Sequence, residues 1–213
     1  MNPSYWILYF DETISWILAT GSVLRERMPI ITGVFGEGNI AACLFSRSML
    51  LNVPGSMSIT GIPKVGKTTI CKMLSSNGIE CVSADLLALN LGCMEKNFVD
   101  LDCMKSRMLD MPRVIESHYS HLLMSSHVII LKSDPGEISK RMRLAGYSDE
   151  KIAENIDAQI SDTIYYESIE RLPASRVVSL ELTDKTPSES FCIIRDKIIE
   201  IENLTSGSNH NGS

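Results

Sequence analysis

The sequence predicts an α/β fold in which helices cover both faces of a five-stranded parallel sheet. Two observations predict it. From residue 57 onward, short apolar segments alternate with helical ones, and the first apolar segment runs directly into a glycine-rich turn. Alternation of this kind is typical of parallel sheets, because each crossover connection lays a helix against a sheet face. The expected architecture is therefore a three-layer sandwich.

Short apolar segments and helix caps define the predicted elements. Asp134 precedes Pro135 at a first helical position, and Thr186 opens a capping box. Residues 85–112 are helical in tendency but are interrupted by a glycine and a proline. Ser148 caps one long predicted helix, in which isoleucine recurs at Ile152, Ile156, Ile160 and Ile164. The predicted strands are residues 57–60, 79–84, 113–116, 127–131 and 176–182.

The composition is that of a folded globular protein with one domain and an extension. The chain has 213 residues, of which 44% are hydrophobic and 22% charged, and its net charge is −6. These values exclude a wholly disordered chain and a collagen-like or coiled-coil architecture. Because the net charge is negative, no global field favours nucleic acid. Direct sequence-specific binding of nucleic acid is therefore not predicted.

The composition changes near Met57. Residues 1–56 contain both tryptophans and no lysine. We expect residues 1–56 to be an N-terminal extension, and we favour a mis-assigned start with true translation from Met57. Residues 57–203 are the predicted folded domain, and the polar residues 204–213 are a predicted disordered tail.

The sequence predicts a cytoplasmic protein. Its most apolar stretch, residues 5–24, carries Asp11 and Glu12, and each acid would cost about 2.5–3.5 kcal/mol near a bilayer centre. No positively charged region precedes this stretch, as a signal peptide would require. The cysteines show no CxxC spacing, which predicts reduced thiols that fill core space. They are Cys43, Cys71, Cys81, Cys93, Cys103 and Cys192.

Residues 61–68 satisfy the phosphate-loop pattern G-x-x-x-x-G-K-[ST]. By chance this pattern arises in roughly one per cent of chains of this length, or fewer. Its place between a strand and a helix is the context that its mechanism requires. Backbone N–H groups and the positive helix end would cradle phosphates. Lys67 would reach the β- and γ-phosphates, and the Thr68 hydroxyl would ligate Mg²⁺.

A second glycine-rich segment, residues 30–41, has the spacing G-x-G-x-x-A of a dinucleotide-binding turn. That motif needs an acidic residue about 20 positions further on. Gly55 and Ser56 stand there instead. We therefore do not expect this segment to bind a nucleotide.

The run GYSDEKIAENI at residues 146–156 resembles the lid region of the adenylate kinase isoenzyme 6 family. The similarity covers roughly residues 57–203 and includes the phosphate loop and the third strand. Members of this family are small archaeal and eukaryotic nucleoside monophosphate kinases with ATPase activity, involved in late maturation of the small ribosomal subunit. The resemblance implies a P-loop NTPase fold with a small lid and a monophosphate-binding insertion.

The family phosphate loop reads G-T-P-G-V-G-K-T-T, and the resemblance implies ATP-binding roles for this part of the chain. Lys64 stands where the family has a glycine. It would either add a cation beside the phosphates or point outward, and we favour the second. The implied ATP-binding residues are Gly61, Pro63, Lys64, Gly66, Lys67, Thr68 and Thr69.

Further catalytic roles are implied on the third strand. Glu116 and His118 stand in the place of the family's Asp-x-His motif. With Thr68, the carboxylate would hold Mg²⁺, partly through water. The histidine would orient a water or a phosphate oxygen. Lys67 joins them as a catalytic residue, whereas His121 is expected to be structural.

The lid and the acceptor region contribute the remaining implied residues. Arg141 matches a family arginine that would neutralise charge on the transferred phosphoryl group. The family's ATP-contacting arginine is Ala145 here, and Arg143 is an uncertain substitute. Asp85 matches an acidic residue of the monophosphate-binding region.

The implied function is a nucleoside monophosphate kinase, ATP + AMP ⇌ 2 ADP, with Mg²⁺ as cofactor, ATPase activity and a role in 30S maturation. Two alternatives stay open. One is an ATP-hydrolysing assembly factor with little kinase activity, whose partners are a small-subunit ribosomal protein and the pre-30S particle. The other is a kinase for another small metabolite or a GTPase, although the guanine-reading motif N/T-K-x-D is missing.

Overall fold

A computed structural model describes residues 6–8, 56–96, 98–108 and 111–207. The rest of the predicted extension lies outside the described residues, and so do the glycine-rich segment 30–41, Cys43 and the tail residues 208–213. Across the described part of the chain, none of the helices combines the length and the apolar character that a bilayer span requires.

The described residues form eight strands. They are β1 (Trp6–Leu8), β2 (Ser56–Thr60), β3 (Cys81–Ser83), β4 (Met94–Glu95), β5 (Phe98–Asp100), β6 (Val114–Glu116), β7 (Ser125–Lys132) and β8 (Val177–Glu181). Five of them build the main sheet in the order β3-β6-β2-β7-β8. Every neighbouring pair in that sheet is parallel, which confirms the predicted five-stranded parallel sheet.

Seven helices lie in the described part of the chain. They are α1 (Lys67–Ser76), α2 (Ala84–Asn90), α3 (Leu101–Arg107), α4 (Pro135–Leu144), α5 (Asp149–Ile160), α6 (Thr163–Ile169) and α7 (Pro187–Gly207). The predicted caps form. The Asp134 carboxylate accepts from the Glu137 N–H at 2.8 Å, and Ser148 caps α5. Thr186 and Glu189 bond each other's backbone N–H groups ahead of α7.

Helices cover the sheet on both faces. Successive side chains of a strand point to opposite sides, so each strand contributes to two separate clusters. One face buries Met57 and Ile59 of β2 beneath α1, α4 and α7, with Ile194 of α7 in the same cluster. The other face carries Val128 and Ile130 of β7, against which residues of α6 pack. The three-layer sandwich is therefore confirmed.

The predicted interruptions in residues 85–112 separate α2 and α3 and leave room for the hairpin β4–β5. This hairpin becomes a three-stranded antiparallel sheet, because β1 pairs with β5 and Ile7 stands opposite Val99. Part of the N-terminal segment is thus hydrogen-bonded to this hairpin.

The prediction of a single long helix after Ser148 is wrong, because the structure has two helices there, α5 and α6. Asp162 lies between them with a left-handed φ of 56°, and its carboxylate pairs with Lys132 at the end of β7. Gln159 donates to the Ser133 carbonyl at 2.8 Å. These contacts with the end of β7 fix the break, which the isoleucine periodicity does not reveal.

The last helix continues to Gly207, so residues 204–207 are helical and not disordered as predicted. The Arg113 guanidinium donates two hydrogen bonds to the Glu202 carboxylate, at 2.6 and 2.7 Å. A bidentate pair of this kind is strong and geometrically specific. It ties the end of α7 to the start of β6.

Four cysteines form two disulfides, so the prediction of reduced thiols is wrong for them. Cys71 of α1 is bonded to Cys81 of β3, and Cys93 is bonded to Cys103, with Cα–Cα distances of 5.3 and 5.5 Å. The two cysteines of each pair are 10 residues apart in the sequence. Cys192 is the free cysteine among the described residues.

Removal of the Cys71–Cys81 bond is expected to lower the free energy of unfolding by about 2–3 kcal/mol, because the unfolded chain regains the entropy of an open loop. Urea unfolding of the variant Cys71→Ala/Cys81→Ala without reductant measures this loss. Cys192→Ala is the matched control and should change the free energy by less than about 1 kcal/mol. Equal midpoints for the two variants would contradict the assigned pairing.

Candidate active site

The carboxyl ends of three neighbouring strands meet at one edge of the main sheet. In the parallel register, Ile59 of β2 stands beside Glu116 of β6, and Glu116 stands beside Ser83 of β3. The phosphate loop leaves β2 at this edge, and α2 begins directly after β3. In open parallel sheets, ligands bind outside the carboxyl ends of the strands.

The phosphate loop begins with a backbone approach that only glycine allows. Gly61 has φ 138°, and a Cβ built on it would lie 2.5 Å from the Leu131 carbonyl oxygen of β7. The loop ends at Gly66, with φ 111°, and α1 starts at the next residue. The unpaired N–H groups of a helix start, together with the helix dipole, form an anion-binding site.

Lys67 folds back over the loop that precedes it. Its buried ammonium donates to the Gly61 carbonyl at 2.9 Å and to the Ile62 carbonyl at 3.0 Å. The charge of Lys67 is therefore held at the mouth of the loop. A phosphate group in the loop would meet this ammonium without a large movement of the side chain.

Glu116 and Thr68 meet beside the loop. The Thr68 hydroxyl donates to Glu116 Oε1 at 3.3 Å, and Glu116 is 4% exposed. Burial raises the pKa of Glu116, while the Lys67 charge and hydrogen bonds from Thr68 and Ser83 oppose this rise. A hydroxyl and a carboxylate are the oxygen ligands that Mg²⁺ takes in proteins, so the donor set fits this ion.

Asp85, the predicted monophosphate-binding residue, lies at the same edge. Its Oδ1 accepts a hydrogen bond of 2.6 Å from the buried Tyr119 hydroxyl. The negative charge of Asp85 also contributes to the raised pKa of Glu116. The structure therefore brings Asp85 and Glu116 together.

His118 follows Glu116 by two residues and is half-buried. Burial lowers its pKa to about 3, and the positive charges of Lys67, His121 and Lys151 act in the same direction. His118 is thus a neutral imidazole at physiological pH, with one donor and one acceptor nitrogen.

His121, which the sequence predicts to be structural, belongs to a buried network under the loop. Its Nε2 lies 2.8 Å from Glu167 Oε2 on α6, and its Nδ1 lies 3.2 Å from Thr60 Oγ1. The Thr60 hydroxyl donates to the His118 carbonyl at 3.2 Å. No local motif marks this network, since Glu167 is 46 residues from His121.

The lid arginines do not converge on the loop. Arg141 is exposed in the last turn of α4, and among the described residues no contact links it to the phosphate loop. Arg143 pairs with Asp149 at 3.2 Å, and Ala145 is exposed.

From the sequence we favour a Lys64 side chain that points outward, whereas the structure places this side chain against the lid entrance. It is half-buried and has φ 65°, and its Nζ lies 5.7 Å from the centroid of the Tyr147 ring at the lid entrance.

The neutral state of His118 predicts a pH dependence of stability. An unfolded histidine titrates near 6.5, so lowering the pH below 6.5 charges the unfolded chain first, and the folded state loses stability as the pH falls toward 3. From pH 7.5 to 5.5 this loss is about 1 kcal/mol. His118→Asn should lose about 1 kcal/mol less than the natural chain over the same interval. Urea unfolding at both pH values measures the difference, and equal losses would contradict it.

Comparison with known proteins identifies relatives of the domain. Residues 58–162 match a family model described as an AAA domain. A Thermoplasma acidophilum protein named "Putative adenylate kinase" is 47% identical over 128 residues, which span 59% of this chain and 86% of the relative. Proteins of the same name from Thermoplasma volcanium and Pyrococcus abyssi are 45% and 35% identical, over 57% and 62% of this chain and 81% and 78% of theirs.

A solved structure supports the fold. The crystal structure of a gluconokinase from Sinorhizobium meliloti 1021 aligns with a TM-score of 0.50 over 74% of this chain and 99% of that chain. The identity is 14%, so this likeness shows the fold alone. The relatives and the phosphate-loop geometry agree with the resemblance found in the sequence. The chain belongs to the archaeal adenylate kinase-like family of phosphate-loop proteins.

Proposed function

We propose that this protein is an adenylate kinase that transfers the γ-phosphoryl group of ATP to AMP. One observation carries the proposal: the phosphate loop with its folded Lys67 meets two acidic residues, Glu116 and Asp85, at a single sheet edge. The names of the archaeal relatives support the same activity.

ATP would bind with its phosphates in the loop. The N–H groups at the start of α1 would hold the phosphate oxygens, and Lys67 would exchange its two carbonyl partners for them. Because those carbonyls already hold the ammonium in place, little side-chain entropy is lost on binding. The residues of this loop would therefore fix the γ-phosphoryl group for transfer.

Mg²⁺ would accompany ATP, and Thr68 and Glu116 would hold it, in part through water. When bound, the ion neutralises negative charge on the phosphates. Burial keeps the Glu116 carboxylate away from bulk water, and the neighbouring Lys67 charge favours its ionised form. The Lys67 charge would thus oppose the effect of burial on this ligand.

The acceptor would bind on the side of α2. Asp85 lies in the first turn of this helix, and its carboxylate accepts a hydrogen bond from Tyr119. Leu86 and Leu89 of α2 are 43% and 48% exposed and lie three residues apart, so both face the same side. We assign this apolar face to the base of the monophosphate. The neutral His118 imidazole would orient an oxygen of the acceptor phosphate, and Arg141 is the proposed lid cation.

A second candidate is an ATP-hydrolysing assembly factor that acts on a small-subunit ribosomal protein or the pre-30S particle, with little kinase activity. The specific observation in its favour is the lid. Ala145 supplies no charge, and Arg143 is paired with Asp149. A lid with few unpaired cations would stabilise the charge on the transferred phosphoryl group only weakly. Transfer to an acceptor would then be slow, and hydrolysis would be the main activity.

The formation of ADP from Mg-ATP, with and without AMP, separates the two candidates. For the full chain we expect AMP to raise the rate at least about tenfold, because the acceptor displaces water as the nucleophile. Lys67→Ala should lower the AMP-dependent rate at least about 100-fold. Lys72→Ala, which removes an exposed lysine of the same helix, is the control and should retain the rate.

An ADP release rate that is slow and independent of AMP would overturn the kinase assignment and favour the hydrolase. If Lys67→Ala and Lys72→Ala behaved alike, the phosphate loop would not be the site of catalysis.

A further inference from the structure

Lys64 is a lysine in a backbone conformation that favours glycine. Its φ of 65° is left-handed, a conformation that is unfavourable for a residue with a Cβ. The residue lies inside the phosphate loop, three positions before Lys67. A side chain that carries this backbone cost at a ligand-binding loop invites a functional explanation.

The ammonium of Lys64 lies where the loop faces the lid. Its Nζ is 5.7 Å from the centroid of the Tyr147 ring, within the range of a cation–π contact. The Tyr147 N–H bonds to the Met142 carbonyl of α4 at 3.2 Å, and its side chain packs against the main core cluster. The ring therefore holds the ammonium at a fixed place on the lid entrance.

The charge of Lys64 is not cancelled by a neighbouring acid. Among the described carboxylates, none lies within 4.0 Å of its Nζ, whereas Lys132, Lys140 and Arg143 each have such a partner. A cation–π contact leaves the full positive charge in place. Lys64 thus presents an uncompensated cation beside the phosphate loop.

On the lid side, residue 145 is an alanine and supplies no positive charge. Ala145 is two residues from Tyr147 in the sequence, so the segment that contacts the Lys64 ammonium through Tyr147 carries no charge at residue 145. Arg143 is paired with Asp149, and Arg141 makes no described contact with the loop. Among the described residues, Lys64 is thus a cation of the loop that contacts the lid side through Tyr147.

We propose that Lys64 is a catalytic residue that supplies, from the phosphate loop, the positive charge that Ala145 does not supply from the lid. This inference rests on the proposed function, since it places the triphosphate of ATP between loop and lid. In the transfer step, an oxygen of the acceptor phosphate forms a bond to Pγ, and the bond from Pγ to the β,γ-bridging oxygen breaks. The electron pair of that bond leaves with ADP. Lys64 gives and takes no proton; its ammonium stabilises the charge on the oxygens of the transferred group.

The test compares four variants of the full chain in steady-state transfer from Mg-ATP to AMP. Lys64→Met removes the charge and keeps the length of the side chain. Lys64→Gly relieves the backbone, and Lys64→Gly/Ala145→Arg returns a cation from the lid side. Tyr147→Leu removes the ring and keeps the lysine. Lys72→Met is the matched control for loss of an exposed lysine, and thermal unfolding verifies that each variant is folded.

We expect Lys64→Met and Lys64→Gly to lower kcat at least about tenfold, because one preorganised charge at the reacting group is lost. Lys64→Gly/Ala145→Arg should regain part of this loss, and Lys72→Met should stay within about twofold. Tyr147→Leu should cost less than either substitution of Lys64. A kcat for Lys64→Met within about twofold of the natural chain would overturn the proposal. Equal losses in Tyr147→Leu and Lys64→Met would overturn it as well, because the contact and not the charge would then matter.

A binding measurement separates failure of this inference from failure of the proposed function. If the natural chain transfers no phosphoryl group to AMP, the kinase assignment fails. The affinities of Lys64→Met for Mg-ATP and Mg-ADP then decide the role of Lys64. We expect a loss of about tenfold or more for Mg-ATP and a smaller loss for Mg-ADP, since the ammonium faces the terminal phosphate. An unchanged ratio of the two affinities would overturn the assignment of Lys64.

Discussion

The site depends on the close approach between the phosphate loop and the end of β7. At Gly61 an added Cβ would lie 2.5 Å from the Leu131 carbonyl oxygen, so the chain can leave the sheet at this point only through glycine. The same turn directs the carbonyls of Gly61 and Ile62 toward the Lys67 ammonium. Parallel pairing of β2 and β6 then places Glu116 beside the loop. The geometry of the backbone thus brings the charged groups together before any ligand binds.

Two buried charges of opposite sign stabilise each other at this edge. Burial raises the pKa of Glu116, and the Lys67 charge lowers it. If one partner were removed, the other would remain buried without compensation, which is costly. Substitutions here therefore act on stability as well as on nucleotide binding, and each assay needs a measurement of folding. The neutral His118, whose low pKa also reflects the Lys67 charge, is a further consequence of the same arrangement.

The sequence was sufficient for features that depend on local patterns. The phosphate loop and the capping box at Thr186 are encoded within a few residues, and the five strands follow from short apolar runs. Features built by long-range contacts escaped prediction. The break at Asp162 depends on Lys132, which lies 30 residues away, and the partner of the structural His121 is Glu167, which lies 46 residues away. Likewise, no motif indicated the two disulfides, and the position of Lys64 depends on where the lid places its aromatic ring.

An adenylate kinase of this design would bind ATP and AMP at the same time, on either side of one phosphate loop. A bisubstrate analogue, in which two adenosines are joined by five phosphates, tests it most directly by isothermal titration of the full chain with Mg²⁺. We expect one molecule bound per chain, at least about 100-fold more tightly than ATP alone, because the second site is reached without a further loss of translational freedom. The tight binding should vanish in Lys67→Ala. An affinity no higher than that of ATP would contradict the existence of an acceptor site beside the loop.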